Sequence, residues 1–131
     1  MSTISLTIAL PTSDRRTTFR FYREAFGFEA FGEPAGDGVP EPLQFRLGDD
    51  TSLMFIPTDG FGGVVGVPEV APPGVSECVL TLTVDDVDDV VASAEAAGAT
   101  VVVPPQQKPW GYLAMLADPD GHLWQLMRPP S

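Results

Sequence analysis

The sequence predicts an α+β fold in which one unit, a strand, a helix and three further strands, is used twice in tandem. Two observations predict it. Asp14–Gly27 (DRRTTFRFYREAFG) and Asp85–Gly98 (DDVDDVVASAEAAG) have equal length, start on Asp, end on Gly and stand 71 positions apart. Nearly the same offset relates the turn Gly48-Asp49-Asp50 to the turn Asp118–Gly121, and each turn leads into a strand-like run, Ser52–Ile56 and Leu123–Met127. A fixed internal period means one supersecondary unit repeated. The seam between two such copies is a natural place for a pocket.

The elements follow in order. In Ile4–Leu10 apolar Ile4, Leu6, Ile8 and Leu10 alternate with Ser5, Thr7 and Ala9, the period of a strand, which Pro11 ends. Thr12 or Ser13 is expected to cap the next helix, with Asp14 in its first turn at the positive end of the dipole. Phe19, Tyr22 and Phe26 recur at helical spacing and give that helix an apolar face, and Gly27 stops it. Phe28–Phe31 reads as a short strand and 32–42 as a loop rich in Gly and Pro. Leu43–Leu47 and Ser52–Ile56 flank the Gly-Asp-Asp turn as a hairpin. Residues 57–74, dense in Gly and Pro and almost without period, read as a linker that is able to fold over a pocket.

The second copy repeats the order. Cys78–Val84 is a strand, Asp85 or Asp86 caps a helix with Val87, Val90, Val91 and Ala94 on its apolar face, and Gly98 ends it. Thr100–Val103 is β-branched and strand-like. Residues 104–109 read as a loop, and Tyr112–Ala117 with Leu123–Arg128 forms a second hairpin. The chain is therefore expected to be one domain over 1–131, with module one at 4–58, a linker at 59–74 and module two at 75–128.

Composition bounds the function. The chain has 131 residues, 44% of them hydrophobic, enough for a packed interior, and a net charge of −11. That charge argues against nucleic acid and anionic membrane as partners, since both need a basic footprint. The N-terminal run is short and lacks a basic flank, so neither a signal peptide nor a membrane span is expected, and the cytoplasm is the expected location. The single cysteine, Cys78, permits no intrachain disulfide and is expected to act as a small buried hydrophobe. The carboxylate pairs Asp49–Asp50, Asp85–Asp86 and Asp88–Asp89 fall in turns and first helical turns, where they complement helix dipoles or face water. No Ser/His/Asp arrangement, phosphate-binding glycine loop or CxxC pair is present.

The order of elements, together with FYREAFGF in copy one and ADPDGHLWQL near the end, resembles the vicinal oxygen chelate superfamily of glyoxalase I, extradiol dioxygenases, fosfomycin-resistance enzymes and bleomycin-resistance proteins. The resemblance covers roughly Ile4 to Met127. It implies mixed, curved sheets forming a cup around a cavity between the modules, and a homodimer. It also implies that the enzymes of the group hold a divalent metal with His, Glu or Gln side chains on the first and last strand of each module. Counting from the shared landmarks, those positions are Thr7, Met54, Val79 and Gln125 here.

That quartet is not a set of ligands for a hard or borderline cation, which takes carboxylate, carbonyl or imidazole donors. The chain has one histidine, His122, beside a turn where exposure is expected, so a two-histidine, one-carboxylate site is impossible within one chain. No cofactor and no metal are therefore expected. Ile56 follows Met54 on the same strand face. Phe61 in the linker, and Trp110 and Tyr112 beside a glycine, offer large apolar area with polar tips, suited to a planar ligand. The expected site is thus Thr7, Met54, Ile56, Phe61, Val79, Trp110, Tyr112 and Gln125. The expected function is metal-free binding of a small cationic or aromatic molecule, as in the bleomycin-resistance branch. The alternative is a metal-dependent glyoxalase-type lyase or dioxygenase, which would need Gln125, Glu77 and His122 or a partner chain's residues to assemble a site.

Overall fold

The computed structural model describes residues 5–66, 71, 72, 75 and 78–130, the side chains of 62–65 excepted. Packing divides the chain into two compact units, Met1–Arg23 with Gly27–Val70, and Glu24–Phe26 with Ala71–Ser131.

The first unit holds β1 (Leu6–Thr12), α1 (Arg15–Ala25), β2 (Glu29–Phe31), β3 (Leu43–Arg46), β4 (Thr51–Pro57) and α2 (Thr58–Val65). Its sheet has the order β1-β4-β3-β2, with β1 parallel to β4 and the other neighbours antiparallel. Leu43, Phe45, Leu53 and Phe55 point to one face and are buried. Tyr22 of α1 meets that face, its ring 5.7 Å from Phe45 and 4.9 Å from Phe55. The period of two along β4 sends Ser52, Met54 and Ile56, all half-buried, to the opposite face.

The cap of α1 differs from the expectation. Asp14 itself occupies the cap: its Oδ1 accepts from the backbone N–H of Arg16 (3.1 Å) and Thr17 (3.3 Å), and its Oδ2 from the Thr17 hydroxyl (3.0 Å). A carboxylate reaches these amides better than Thr12, whose hydroxyl is taken up at 2.6 Å by Thr18 inside the unit. The Thr17 amide, ahead of its hydroxyl, holds the Asp14 carboxyl below the usual carboxylate range.

The segment expected as an irregular linker begins with a helix. α2 follows β4 directly and packs beside β1 and β4. The remainder of 59–74 lies partly outside the described residues.

The second unit holds β5 (Val79–Thr83), α3 (Val87–Ala96), β6 (Thr100–Lys108), β7 (Gly111–Ala117) and β8 (Leu123–Arg128), in the order β5-β8-β7-β6. β5 runs parallel to β8, as β1 does to β4, so both sheets share one topology. Asp86 caps α3, its Oδ1 accepting from Asp89 N–H at 3.0 Å. Val87, Val91 and Ala94 are buried with Leu116, Trp124 and Leu126, and Phe26 packs on Trp124 at 5.3 Å.

Three expectations fail in this unit. The loop expected over 104–109 is the second half of β6. Its prolines are tolerated because β6 is the edge strand and its pairing to β7 slips between Val101 and Val103 and again between Val103 and Gln106. Cys78 is exposed rather than buried, because it precedes β5, the other edge strand, whose Val79, Thr81 and Thr83 also face outward. His122 is half-buried rather than exposed. Its backbone is tied to Asp118, which accepts from His122 N–H at 2.8 Å and donates its own N–H to His122 O at 2.9 Å.

Candidate functional site

Each sheet has a face turned away from its buried aromatic or aliphatic side, and the registers lay that face out in rows. In the first sheet Phe31, Gln44, Met54 and Ala9 stand opposite one another across β2, β3, β4 and β1. Beside them runs Glu29, Arg46, Ser52 and Thr7. The Arg46 guanidinium lies 4.6 Å from the Phe31 ring centre, and the Thr7 and Ser52 hydroxyls are 3.1 Å apart.

In the second sheet Val103, Met115, Gln125 and Thr81 form the matching row, and Gln125 Nε2 donates to Thr81 Oγ1 at 3.2 Å. Below it Leu123 stands opposite Val79. The two central rows correspond through the internal repeat, with one exchange. An amide on the third strand faces a thioether on the fourth in copy one (Gln44, Met54), and the reverse holds in copy two (Met115, Gln125).

Thr7, Met54 and Ile56 therefore share one face of the first sheet, and Val79 and Gln125 share one face of the second. Phe61 lies on α2, beside β1 and β4, and is half-buried. Trp110 occupies the two-residue turn between β6 and β7 and is 60% exposed. Tyr112 is not brought to the Gln125 face. It pairs with Arg128, and both lie on the side of Trp124 and Leu126, because successive strand residues alternate. Glu77 lies outside the described residues. Sequence reading missed Gln44, Met115, Phe31 and Arg46. The first two were accessible through the repeat, since they stand 71 positions apart and each faces a residue already singled out.

Tyr112 belongs instead to a cavity of about 680 Å³ in the second unit, lined by Thr83, Val84, Asp85, Gln107, Tyr112, Arg128, Pro129 and Pro130. It lies where β5, β6 and β8 end and β7 begins. The Tyr112 hydroxyl donates to Asp88 Oδ1 at 2.7 Å, and the Arg128 guanidinium sits 5.0 Å from its ring centre. The hydrogen bond to Asp88, followed by desolvation, raises the Tyr112 hydroxyl above its ordinary value of 10.0, so at neutral pH it is a fixed donor. Gly111 is required at this rim. Its φ is +152°, and a Cβ there would come within 2.7 Å of Arg128 O.

A repeated β-α-β-β-β unit with one open mixed-chemistry face per sheet defines a class of two-module α+β proteins. The model of the Glyoxalase/Bleomycin resistance protein/Dioxygenase superfamily matches residues 5–126, and the chain belongs to that superfamily. Among solved structures, the antibiotic-binding protein TnmS3 from Streptomyces sp. CB03234 is 33% identical, with 99% of this chain and 98% of that one covered and a TM-score of 0.69. A glyoxalase-related enzyme from Fulvimarina pelagi is 25% identical, with coverage of 99% and 90% and a TM-score of 0.80. An uncharacterized protein of Mycobacterium bovis is 32% identical over 124 residues, 92% of this chain and 80% of that protein.

The metal of the superfamily's enzymes does not fit the residues present. At the four strand positions stand a hydroxyl (Thr7), a thioether (Met54), an isopropyl group (Val79) and an uncharged amide (Gln125). None carries the negative charge or imidazole nitrogen that a divalent cation needs; the one oxygen donor of the right kind, the Gln125 amide carbonyl, is uncharged. Among the described residues no group of three or more His, Cys, Asp or Glu side chains is placed to share an ion.

Proposed function

We propose that this chain binds a small molecule without a metal, on the open faces of its sheets, and does not transform it. The observation behind this reading is the donor set: Thr7, Met54, Val79 and Gln125 offer no charge to a cation. They do offer hydroxyl, amide and polarizable sulfur to an organic ligand. Gln44 and Met115, opposite Met54 and Gln125, widen the same chemistry. The antibiotic-binding activity in the description of TnmS3, at 33% identity over nearly the full length of both chains, favours a ligand of that class. The net charge of −11 favours a cationic or aromatic-cationic molecule, because a negative field raises its local concentration. A homodimer in the cytoplasm is part of the proposal, and no helix among the described residues is long and apolar enough to cross a membrane.

Two measurements test it. After exposure to Ni²⁺, Zn²⁺ and Mn²⁺ and then desalting, elemental analysis is expected to find far less than one metal ion per chain. Stoichiometric metal, lost to a chelator and regained, would overturn the metal-free reading. A thermal-shift screen with bleomycin and other cationic or aromatic antibiotics is expected to find a stabilising compound. A ligand at about 100 times its Kd adds about 2.7 kcal/mol.

A further inference from the structure

We propose that the cavity at the end of the second sheet is a site for a zwitterion, a molecule carrying both a carboxylate and an ammonium group, such as a short unblocked peptide. This goes beyond the metal-free reading and does not rest on it, since the cavity lies within the second unit at the end of its strands.

The cavity wall carries one charge of each sign, and neither is neutralised by an ion pair among the described residues. Asp85 and Arg128 both line it, and among the described residues neither makes an ion pair or a side-chain hydrogen bond. The position of Arg128 is set rather than free. The Arg128 guanidinium lies over the Tyr112 ring at 5.0 Å, and that ring is tethered by its hydroxyl to Asp88. The close approach of Gly111 to Arg128 O fixes the backbone beneath.

With its Cζ held 5.0 Å from the ring centre, the guanidinium presents the planar fork of N–H donors that takes a carboxylate bidentately. An ionised Asp85 only accepts hydrogen bonds and carries a negative charge, so it suits an ammonium group. A carboxylic acid alone would meet Asp85 repulsively, and an amine alone would meet Arg128 repulsively. Only a ligand bearing both charges satisfies both walls. Between them, Tyr112 and Pro129 offer apolar surface to a side chain, and Thr83 offers a hydroxyl. The groove is open to solvent and, at about 680 Å³, has room for more than a single amino acid, so a short peptide fits it.

The test is calorimetric titration of the purified protein with the tripeptide Ala-Phe-Ala, its N-acetyl form and its C-terminal amide. The unblocked peptide is expected to bind roughly tenfold or more tightly than either blocked form, the loss typical of one charge-assisted contact. Asp85→Asn is expected to abolish the preference over the N-acetyl form only, and Arg128→Gln the preference over the amide only. Both positions are at the surface, and circular dichroism checks that each variant is folded. Equal affinity for the three peptides, loss of both preferences in either variant, or no binding up to about 10 mM would overturn the proposal. The metal analysis above is unaffected by any of these outcomes.

Discussion

Gly111→Ala isolates what a single methyl group does at the rim of the cavity. Two penalties coincide there. At φ +152° an alanine is strained whatever surrounds it, at a cost of about 1–3 kcal/mol. In addition, the new Cβ would stand 2.7 Å from Arg128 O and 3.4 Å from Met127 Cγ. The nearer atom is backbone in β8, paired with Tyr112 of β7, so relief requires a ladder to move and costs about 1–3 kcal/mol more. The sum is about 2–6 kcal/mol, or roughly 6–24 °C in melting temperature for a chain of this length. Two other glycines separate the terms. Gly27 has φ +69° with nothing within 4 Å of a Cβ, so Gly27→Ala carries strain without collision. Gly48 has open space and no positive φ, so Gly48→Ala is expected within about 0.5 kcal/mol of the parent. Urea unfolding of the three variants should rank them Gly111, Gly27, Gly48 from most to least destabilised. A Gly111→Ala protein as stable as Gly48→Ala would refute the reasoning, and with it the claim that this close approach fixes Arg128.

Other expectations concern single contacts. Phe55→Ala empties a fully buried site against Tyr22 and Phe45 and is expected to cost about 3–5 kcal/mol in urea unfolding. Asp86→Ala removes the cap of α3 and is expected to cost about 1 kcal/mol by the same measurement. Asp88→Asn should let Tyr112 ionise at lower pH, seen as earlier tyrosinate absorbance, because its hydrogen bond to Asp88 is the largest cause of the raised value; an unchanged titration contradicts the contact. Asp14 and Asp37 are both held below their ordinary 3.8, chiefly by the Thr17 and Val39 backbone amides respectively. Each therefore adds stability that is present above about pH 4 and lost as pH falls through the folded-state value. The Asp14→Asn, Asp37→Asn double variant should show a shallower loss of stability on acidification.

The repeat, both capped helices and both hairpins were readable because amphipathic period and turn chemistry are local properties. The rest failed where tertiary context overrides them. α2 contains Gly60, Gly62 and Gly63, and three glycines in eight residues hide a helix from propensity. Its place beside β1 and β4 supplies the stabilisation that its composition lacks. The second half of β6 contains Pro104 and Pro105, which would exclude a central strand but not a bulged edge strand, and edge position is a property of the sheet rather than the segment. Cys78 was misjudged for the same reason: an apolar run does not disclose which strand lacks a neighbour. Tyr112 was grouped with Gln125 by proximity in sequence, and strand alternation separates them. Of the eight residues expected at the site, the sequence grouped Thr7, Met54 and Ile56 as the first sheet now groups them, and Val79 with Gln125 as the second does.

The exchange of amide and thioether between the two copies bears on how such a fold relates to chemistry. Duplication supplies two geometrically equivalent rows, Phe31-Gln44-Met54-Ala9 and Val103-Met115-Gln125-Thr81. Topology alone therefore dictates where side chains converge but not what they do there. Had both central positions carried carboxylates, the rows would repel themselves unless a cation neutralised them, and metal binding would be nearly obligatory. With an uncharged amide against a thioether in each, neither row carries charge that calls for an ion: Gln125 donates to Thr81, and the sulfur of Met115 needs no partner. Such a surface has no uncompensated charge for a metal to relieve, and on the proposed reading an organic ligand with polar edges and a polarizable face would meet both groups. The sign of that difference follows from charge, which is why the elemental analysis discriminates between the readings more sharply than any comparison of folds.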